Sequence, residues 1–596
     1  MRDLEAHRVV GCGQWSAAEI WRHLVGGLVK GEYDVIVVGS GAGGGMSSYV
    51  LTQAGMKVLM LEAGREYDPV SETPMFNLPR DAPLRGVATP DKQLGFYDAT
   101  VNGGWQVPDE PYGVAEGSEF KWWRARMLGG RTNHWGRVSL RYGPYDFKPR
   151  SHDGLGVDWP LTYDDLAPWY DRVERLIGVT GSIDGLENSP DSPEGVHLPP
   201  PPPSPSDYFV SRGFQSLGIP VAAARVAILT RGLNGRSPCF YATPCIRGCA
   251  IRANFQSTTV LIPPSRETGN LTVHTDAMVY QIDVDRMGRA EGVSFVDRQT
   301  GSHHSVRARA VVLAASSCES ARILLNSKSG SFPNGLANES GLVGRNLMDS
   351  AVYATYAQFP ALEAMPPRQD DGLGGGSAGH IYVPWWGYRD QASNKLDFPR
   401  GYHIELLGGR KMPSASSLRI LTDHCDHTHG VELRNELRRK YGSYYYFSAN
   451  GEMIPNRNCY CEIDPEVKDR WGIPVLRFHW KWGEYELRQA AHMRKTFATL
   501  VERLGGTVIS GGQQPRERLL AEGGAANHEV GTARMGTAPE DSAVNQFGQT
   551  WNVKNVFLMD GSIFASNSDK NPTLTILALS WRNCAYLVEE ARKGNL

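Results

Sequence analysis

Short runs of apolar, β-branched residues alternate with glycine-rich turns at the start of the ordered pattern. Tyr33-Asp34-Val35-Ile36-Val37-Val38 has the continuous apolarity of a strand buried on both faces in a parallel sheet. It runs into Gly39-Ser40-Gly41-Ala42-Gly43-Gly44, and helical periodicity follows over Met46 to Ala54. A second apolar run, Lys57-Val58-Leu59-Met60-Leu61, ends at Glu62. Further strands are predicted at Asn270–Thr275, Ala310–Ala315 and Asn555–Gly561. Ala17 to Val25 reads as an amphipathic helix packed on the body of the protein. Leu198 to Pro205, rich in proline, reads as a stiff extended connection or surface loop. Cys459-Tyr460-Cys461 alternates as in a strand, which puts both thiols on one face.

Length and composition narrow the class. At 596 residues the chain has room for two or more domains. Lys and Arg number 62 against 64 Asp and Glu, a net charge of -2 that gives no reason to expect nucleic acid or an acidic membrane as partner. No apolar run reaches the length of about 18 residues that a spanning helix needs, so no membrane-spanning segment is expected. Met1 to Lys30 carries Arg2, Asp3 and Glu5 and lacks the continuous apolar core of a secretory signal. The chain therefore reads as cytoplasmic.

The strand, glycine turn, helix and strand over residues 33–62 form the dinucleotide fingerprint in its confirming context. Gly39 suits the tight turn, Gly41 a close approach of backbone to pyrophosphate, and Gly44 helix–strand packing. Glu62 is placed to accept hydrogen bonds from ribose hydroxyls, and the helix N-terminus to stabilise phosphate. A second loop, Met127 to Gly136, brings Gly129, Gly130, Asn133 and His134 to a flat cofactor, while Asp560-Gly561 ends the last predicted strand beside a ribityl chain. A nicotinamide domain is nearly contiguous, whereas these pieces recur from residue 33 to residue 582. FAD fits that dispersion better than NAD.

Two further motifs carry chemistry. His528 sits in Asn527-His528-Glu529-Val530-Gly531, with Asn571-Pro572 some forty residues on. A neutral imidazole and a carboxamide suffice to take a proton from an alcohol whose carbon loses a hydride. Cys239, Cys245 and Cys249 fall within eleven residues, spaced by five and then three. A structural zinc wants a fourth ligand that is not nearby. A disulfide leaves one thiol over, and an iron–sulfur cluster short of one iron can be held by three thiolates. Plain packing in a tight loop is the competing account.

Together these segments resemble the glucose–methanol–choline family of FAD oxidoreductases. The resemblance implies an α/β fold in which a Rossmann-like FAD-binding domain interleaves with an antiparallel-sheet substrate domain. It implies an N-terminal helical extension over 1–30, an FAD-binding domain from 31–140, 225–345 and 515–596, and a substrate domain from 141–224 and 346–514. By similarity His528 is the catalytic base and Asn571 orients the hydroxyl, with Pro572 and Thr573 beside the flavin ring. A histidine at the place of His134 carries the flavin covalently in pyranose oxidases but not in related sugar dehydrogenases. The spacing of Cys239, Cys245 and Cys249 is similar to the 3Fe–4S loop of bacterial sugar dehydrogenase catalytic subunits.

Pro384 to Tyr388, Arg400 to Glu405 and Glu452 to Pro455 look similar to segments of glucoside 3-dehydrogenases. That branch oxidises a sugar or glucoside at C3, often with a small partner subunit and a cytochrome c. A partner bearing the export signal would make the location periplasmic. Trp385, Trp386, Trp471, Trp480 and Trp482, all in the inferred substrate domain, include candidates to stack on sugar rings, although most belong in the core. An oxygen-using pyranose or C-glycoside oxidase is the alternative.

Overall fold

Strand β1, Tyr33–Val38, is buried from Val35 to Val38 and forms the centre of a mixed sheet. The structure is a computed structural model that describes residues 33–73, 81, 83–87, 89, 102–240, 245, 248–364, 379–409, 421–510 and 514–596. The helix expected at Ala17–Val25 lies outside the described residues. On one side β1 pairs in parallel with β2, Val58–Leu61, and β2 with β3, Leu271–His274. On the other it pairs in parallel with the C-terminal half of β6, His303–Leu313. Two antiparallel strands, β4 (Ala277–Val284) and β5 (Ala290–Asp297), extend the sheet from the N-terminal half of β6. From the far end of the chain β13, Val556–Leu558, adds a parallel edge to β6 at Val311–Leu313.

β6 changes character along its length because its sequence does. His303 to Arg309 alternates exposed with buried positions, as a strand covered on one face must, whereas Ala310 to Leu313 is apolar and buried throughout. One strand therefore serves a one-faced antiparallel layer and a two-faced parallel core. Helices α1 (Ala42–Gln53) and α6 (Thr573–Arg592) cover the parallel part and pack on each other, Tyr49 meeting Trp581 edge to face. α2, Tyr163–Ile177, lies against α6, and Tyr170 exchanges a 2.8 Å hydrogen bond with Thr575.

The second sheet is antiparallel throughout. Its central strands are β7 (Ala351–Gln358), β10 (Tyr444–Gly451), β9 (Tyr402–Gly408) and β8 (Ile381–Val383), in that spatial order, with the short strands Thr507–Val508 and Ala222–Ala223 at its edges. α5, Glu484–Arg503, packs across β7 and β10 through Met493, Phe497 and Leu500. β11 (Tyr460–Lys468) and β12 (Pro474–His479) form a separate hairpin. The proline run departs from its predicted form at one end. Residues 199–203 belong to no helix or strand, but Ser204 caps α3 (Pro205–Ser216) by accepting from the Asp207 amide, and Pro205 takes the first helical position, where its missing N–H costs nothing. Among the described residues no helix is long and apolar enough to cross a membrane.

Candidate active site

The glycine loop after β1 is shaped by what a side chain would strike. At Gly39 φ is +96°, and a Cβ there would lie 2.4 Å from the Ala314 carbonyl oxygen. A Cβ on Gly44 would lie 1.9 Å from the Gly39 carbonyl oxygen, so this position serves the packing of the loop under α1. Gly41 differs: nothing lies within 4 Å of its Cβ direction, and a Cβ on Gly130 of the second loop would lie 3.6 Å from the Gly41 Cα. α1 opens here with no acidic side chain in its first turn, leaving its N-terminal amides free for an anion. Open space, free amides and two facing backbones fit the pyrophosphate of a dinucleotide.

The two loops are tied by Ser40. Its hydroxyl donates to Glu62 Oε2 and accepts from the Gly129 amide at 2.8 Å. Glu62 also receives the Ser40 amide at 3.1 Å and the Gly64 amide at 2.7 Å, and burial raises its carboxyl pKa. Its side chain thus braces the loop as well as facing it. Asn133 locks the second loop, donating to Leu128 O at 2.8 Å and accepting from Thr258 Oγ1 at 3.0 Å. Asp560 caps its own turn through the Ser562 amide and receives the Ser316 amide and the Ser320 hydroxyl. Gly561 begins that turn, and a Cβ there would meet the Val530 side chain and the Glu529 carbonyl.

The structure brings His528 and Asn571 together. Asn571 closes the loop before α6, whose first residues, Pro572 as cap and Thr573 as the opening of the helix, follow directly. Asn571 Nδ2 donates to His528 Nε2 at 3.4 Å and to Glu405 Oε1 at 3.0 Å. On its other side His528 Nδ1 is 2.9 Å from Ser350 Oγ. With an amide N–H aimed at Nε2, the ring is the tautomer that carries its proton on Nδ1 and donates it to Ser350. Burial lowers the His528 pKa to about 4, with His403 and Arg131 adding to the effect and Glu405 opposing it. The imidazole is therefore neutral near pH 7, with its Nε2 lone pair directed into the site.

The backbone under His528 is held as well. Asn527 sits at φ +61°, and Asp349 accepts from the Ala526 amide at 3.2 Å and the His528 amide at 2.9 Å. Arg131 bonds Glu529 at 2.7 Å and the Asn527 carbonyl at 3.2 Å, so the second glycine loop also grips this turn. Sequence reasoning missed Asp349, Ser350, His403 and Glu405. For the last two a signal existed: they stand two apart in β9, which puts them on one face of the strand.

His134 lies in the second loop with Nε2 accepting from the Trp123 indole at 3.0 Å and Nδ1 buried without a partner. Burial and the charges of Arg137 and Arg131 push its pKa down to about 3, so it too is neutral. Cys239, Cys245 and Cys249 share one buried apolar patch with Ala224, Val226, Ile228 and Ala253. Arg137 is buried beside them and donates to the Cys245 carbonyl at 2.7 Å. Burial raises the Cys249 pKa. The positive charge of Arg137 suits thiolates whereas burial opposes them, and among the described residues no three His, Cys, Asp or Glu side chains converge as a metal-ligand set. Trp385 packs on Trp386, Phe398 and Tyr402, and Trp480 on Phe120 and Trp482, so these rings build core. Cys461 is in hydrogen-bonding contact with Cys318, both buried.

The N- and C-terminal models of one family, GMC oxidoreductase, match residues 33–352 and 455–580. The chain is a GMC oxidoreductase. It is 29% identical to the fructose dehydrogenase large subunit of Gluconobacter japonicus, over 94% of this chain and 98% of that one. It is also 29% identical to 2-methyl-1,2-propanediol dehydrogenase of Mycolicibacterium austroafricanum, over 93% of this chain and 95% of the relative. In fold it matches the crystal structure of a pyridoxine 4-oxidase from Mesorbium loti, at a TM-score of 0.55 and 17% identity, over 93% and 99% of the two chains. As a member of the GMC family the enzyme oxidises CH–OH donors, and the family implies FAD as its cofactor.

Proposed function

We propose that this GMC oxidoreductase is a dehydrogenase of sugars or glucosides, acting on a secondary hydroxyl and giving a 3-keto product at C3. The observation that carries the chemistry is the neutral His528 ring with Nε2 facing the Asn571 amide at 3.4 Å. A substrate hydroxyl placed between them receives a hydrogen bond from Asn571 Nδ2 while its proton passes to Nε2. Ser350 holds the ring in the required tautomer, and Asp349 and Arg131 hold the turn beneath it. FAD, when bound, supplies the acceptor for the carbinol hydride. The sugar assignment is supported by segments Pro384–Tyr388, Arg400–Glu405 and Glu452–Pro455 and by the similarity to a fructose dehydrogenase subunit.

His528→Ala is expected to leave FAD bound and to slow anaerobic bleaching of the flavin by sugar about 10²–10⁴-fold. Bleaching at the wild-type rate would refute the assignment of the base. The same reading places an electron outlet at Cys239, Cys245 and Cys249, as a 3Fe–4S cluster passing electrons toward a partner subunit and a cytochrome c. It is supported by the spacing of the three, their common burial and the neighbouring Arg137. Protein purified without oxygen is expected to contain about three irons per flavin and a low-temperature EPR signal. Iron-free protein that reduces oxygen to peroxide would favour an oxidase instead.

A further inference from the structure

The Asn571–His528 pair is one end of a longer hydrogen-bonded chain. Asn571 Nδ2 donates to Glu405 Oε1, and the same oxygen lies 3.3 Å from His403 Nε2. The other nitrogen of His403 contacts the Asp569 backbone carbonyl. His403 is buried, and Glu405 is half-buried at the edge of the site. A carbonyl and a carboxylate flank the two nitrogens of one ring, and both can only accept. With Nδ1 donating to the carbonyl, the contact between Nε2 and Oε1 requires one more proton than a neutral imidazole and a carboxylate possess. Burial opposes ionisation of Glu405, but the hydrogen bonds from His403 and Asn571 outweigh it and hold its carboxyl pKa below the ordinary value, so the extra proton lies on the His403 side of the contact and the two residues form a charged pair directly behind Asn571.

That pair decides which way the amide faces. The two ends of a carboxamide are alike in shape, so packing alone does not distinguish them. A carboxylate oxygen does: it repels the amide oxygen and binds the amide N–H. With Nδ2 committed to Glu405, the second N–H of the same group reaches His528 Nε2, which must then be unprotonated, and Nδ1 must carry the ring proton to Ser350. Asn571 Oδ1 is left buried without a partner. The groups that face His528 are Glu405 and His403 from β9, Arg131 from the second glycine loop, and Asp349 beneath its amide. Tyr446 of β10 is near enough to Glu405 to feel its charge. Of the groups acting on the ring, Glu405 is the one that favours its charged form.

We propose that Glu405, backed by His403, is the positioning residue of the proton-transfer site. Its carboxylate fixes the orientation of the Asn571 amide and lends negative charge to His528 when that ring takes the substrate proton. Neither residue touches the reacting atoms. The inference rests on His528 being the proton acceptor, and it names what prepares that acceptor.

Two substitutions with opposite signs test it in the FAD-loaded enzyme. Glu405→Gln keeps the shape and removes the negative charge. It is expected to slow flavin reduction about ten- to a hundredfold and to move the acid limb of the rate to lower pH. His403→Gln removes the positive charge and is expected to move that limb to higher pH. The probe is whichever of D-glucose, D-fructose and methyl β-D-glucoside bleaches the wild-type flavin fastest, read by stopped-flow after a pH jump. A readout independent of turnover is 15N-histidine NMR. His528 is expected as the Nδ1–H tautomer in wild type, with the Nε2–H form appearing in Glu405→Gln. An unmoved acid limb in both variants, or an unchanged tautomer in Glu405→Gln, overturns the proposal. His528→Ala that still bleaches at the wild-type rate instead overturns the reading beneath it, so the two failures are distinguishable.

Discussion

Asp349 shows how much a single buried group contributes under His528. Burial, reinforced by the neighbouring Glu529, raises its carboxyl pKa to about 7. The unfolded chain releases that proton near pH 4, roughly the ordinary carboxylate value. Between these limits the folded state binds more protons, so this group's contribution is fully present below about pH 4 and lost as pH rises to about 7. Asp349→Asn is expected to flatten that part of the pH dependence of the urea midpoint, while weakening the grip on the His528 amide. An undiminished slope would mean that Asp349 does not hold the proton. His528 and Asn571 were legible because glycines and a proline mark their turns. Asp349 and Ser350 were not, because they act from a strand end more than a hundred residues away in sequence, and His403 and Glu405 carried only the alternation that puts them on one face of β9.

Among elements, the turn between β1 and α1 separates two kinds of glycine. Gly44→Ala presses a Cβ onto the Gly39 carbonyl and is expected to cost about 1–3 kcal/mol in the apoprotein, as overpacking does. Gly41→Ala meets empty space at an ordinary negative φ and is expected to leave apoprotein stability within about 0.5 kcal/mol. Its methyl group would nonetheless occupy the phosphate approach, so FAD affinity should fall. Chemical denaturation without flavin, paired with FAD titration, checks both variants. Equal FAD affinity in Gly41→Ala and wild type would remove the phosphate from that cradle. β1, β2 and the end of β6 were readable as apolar runs. The first half of β6 was not, because its alternation acquires meaning only once β5 lies beside it.

At the scale of the molecule, the mixed sheet and the antiparallel sheet meet where His528 and Asn571 lie. Glu405 and His403 belong to β9 of one sheet, whereas Asn571 leads into the helix that covers the other. Lys570, buried between Asp146 at 3.0 Å and Asp569 at 2.7 Å, fastens that junction from below. The dispersion of the sheet's strands along the sequence pointed to this interleaving. The charged junction was hidden, because no local pattern marks a lysine whose partners lie so far apart in the chain.

The late strand β13 has a consequence for how the protein is made. Until residues 556–558 leave the ribosome, β6 exposes its parallel edge, and α1 waits longer still for α6. The glycine turn is thus made long before the strand and helix that complete its surroundings. A nascent chain must keep an unpaired apolar strand edge from sticking to its neighbours while residues 314–555 are made.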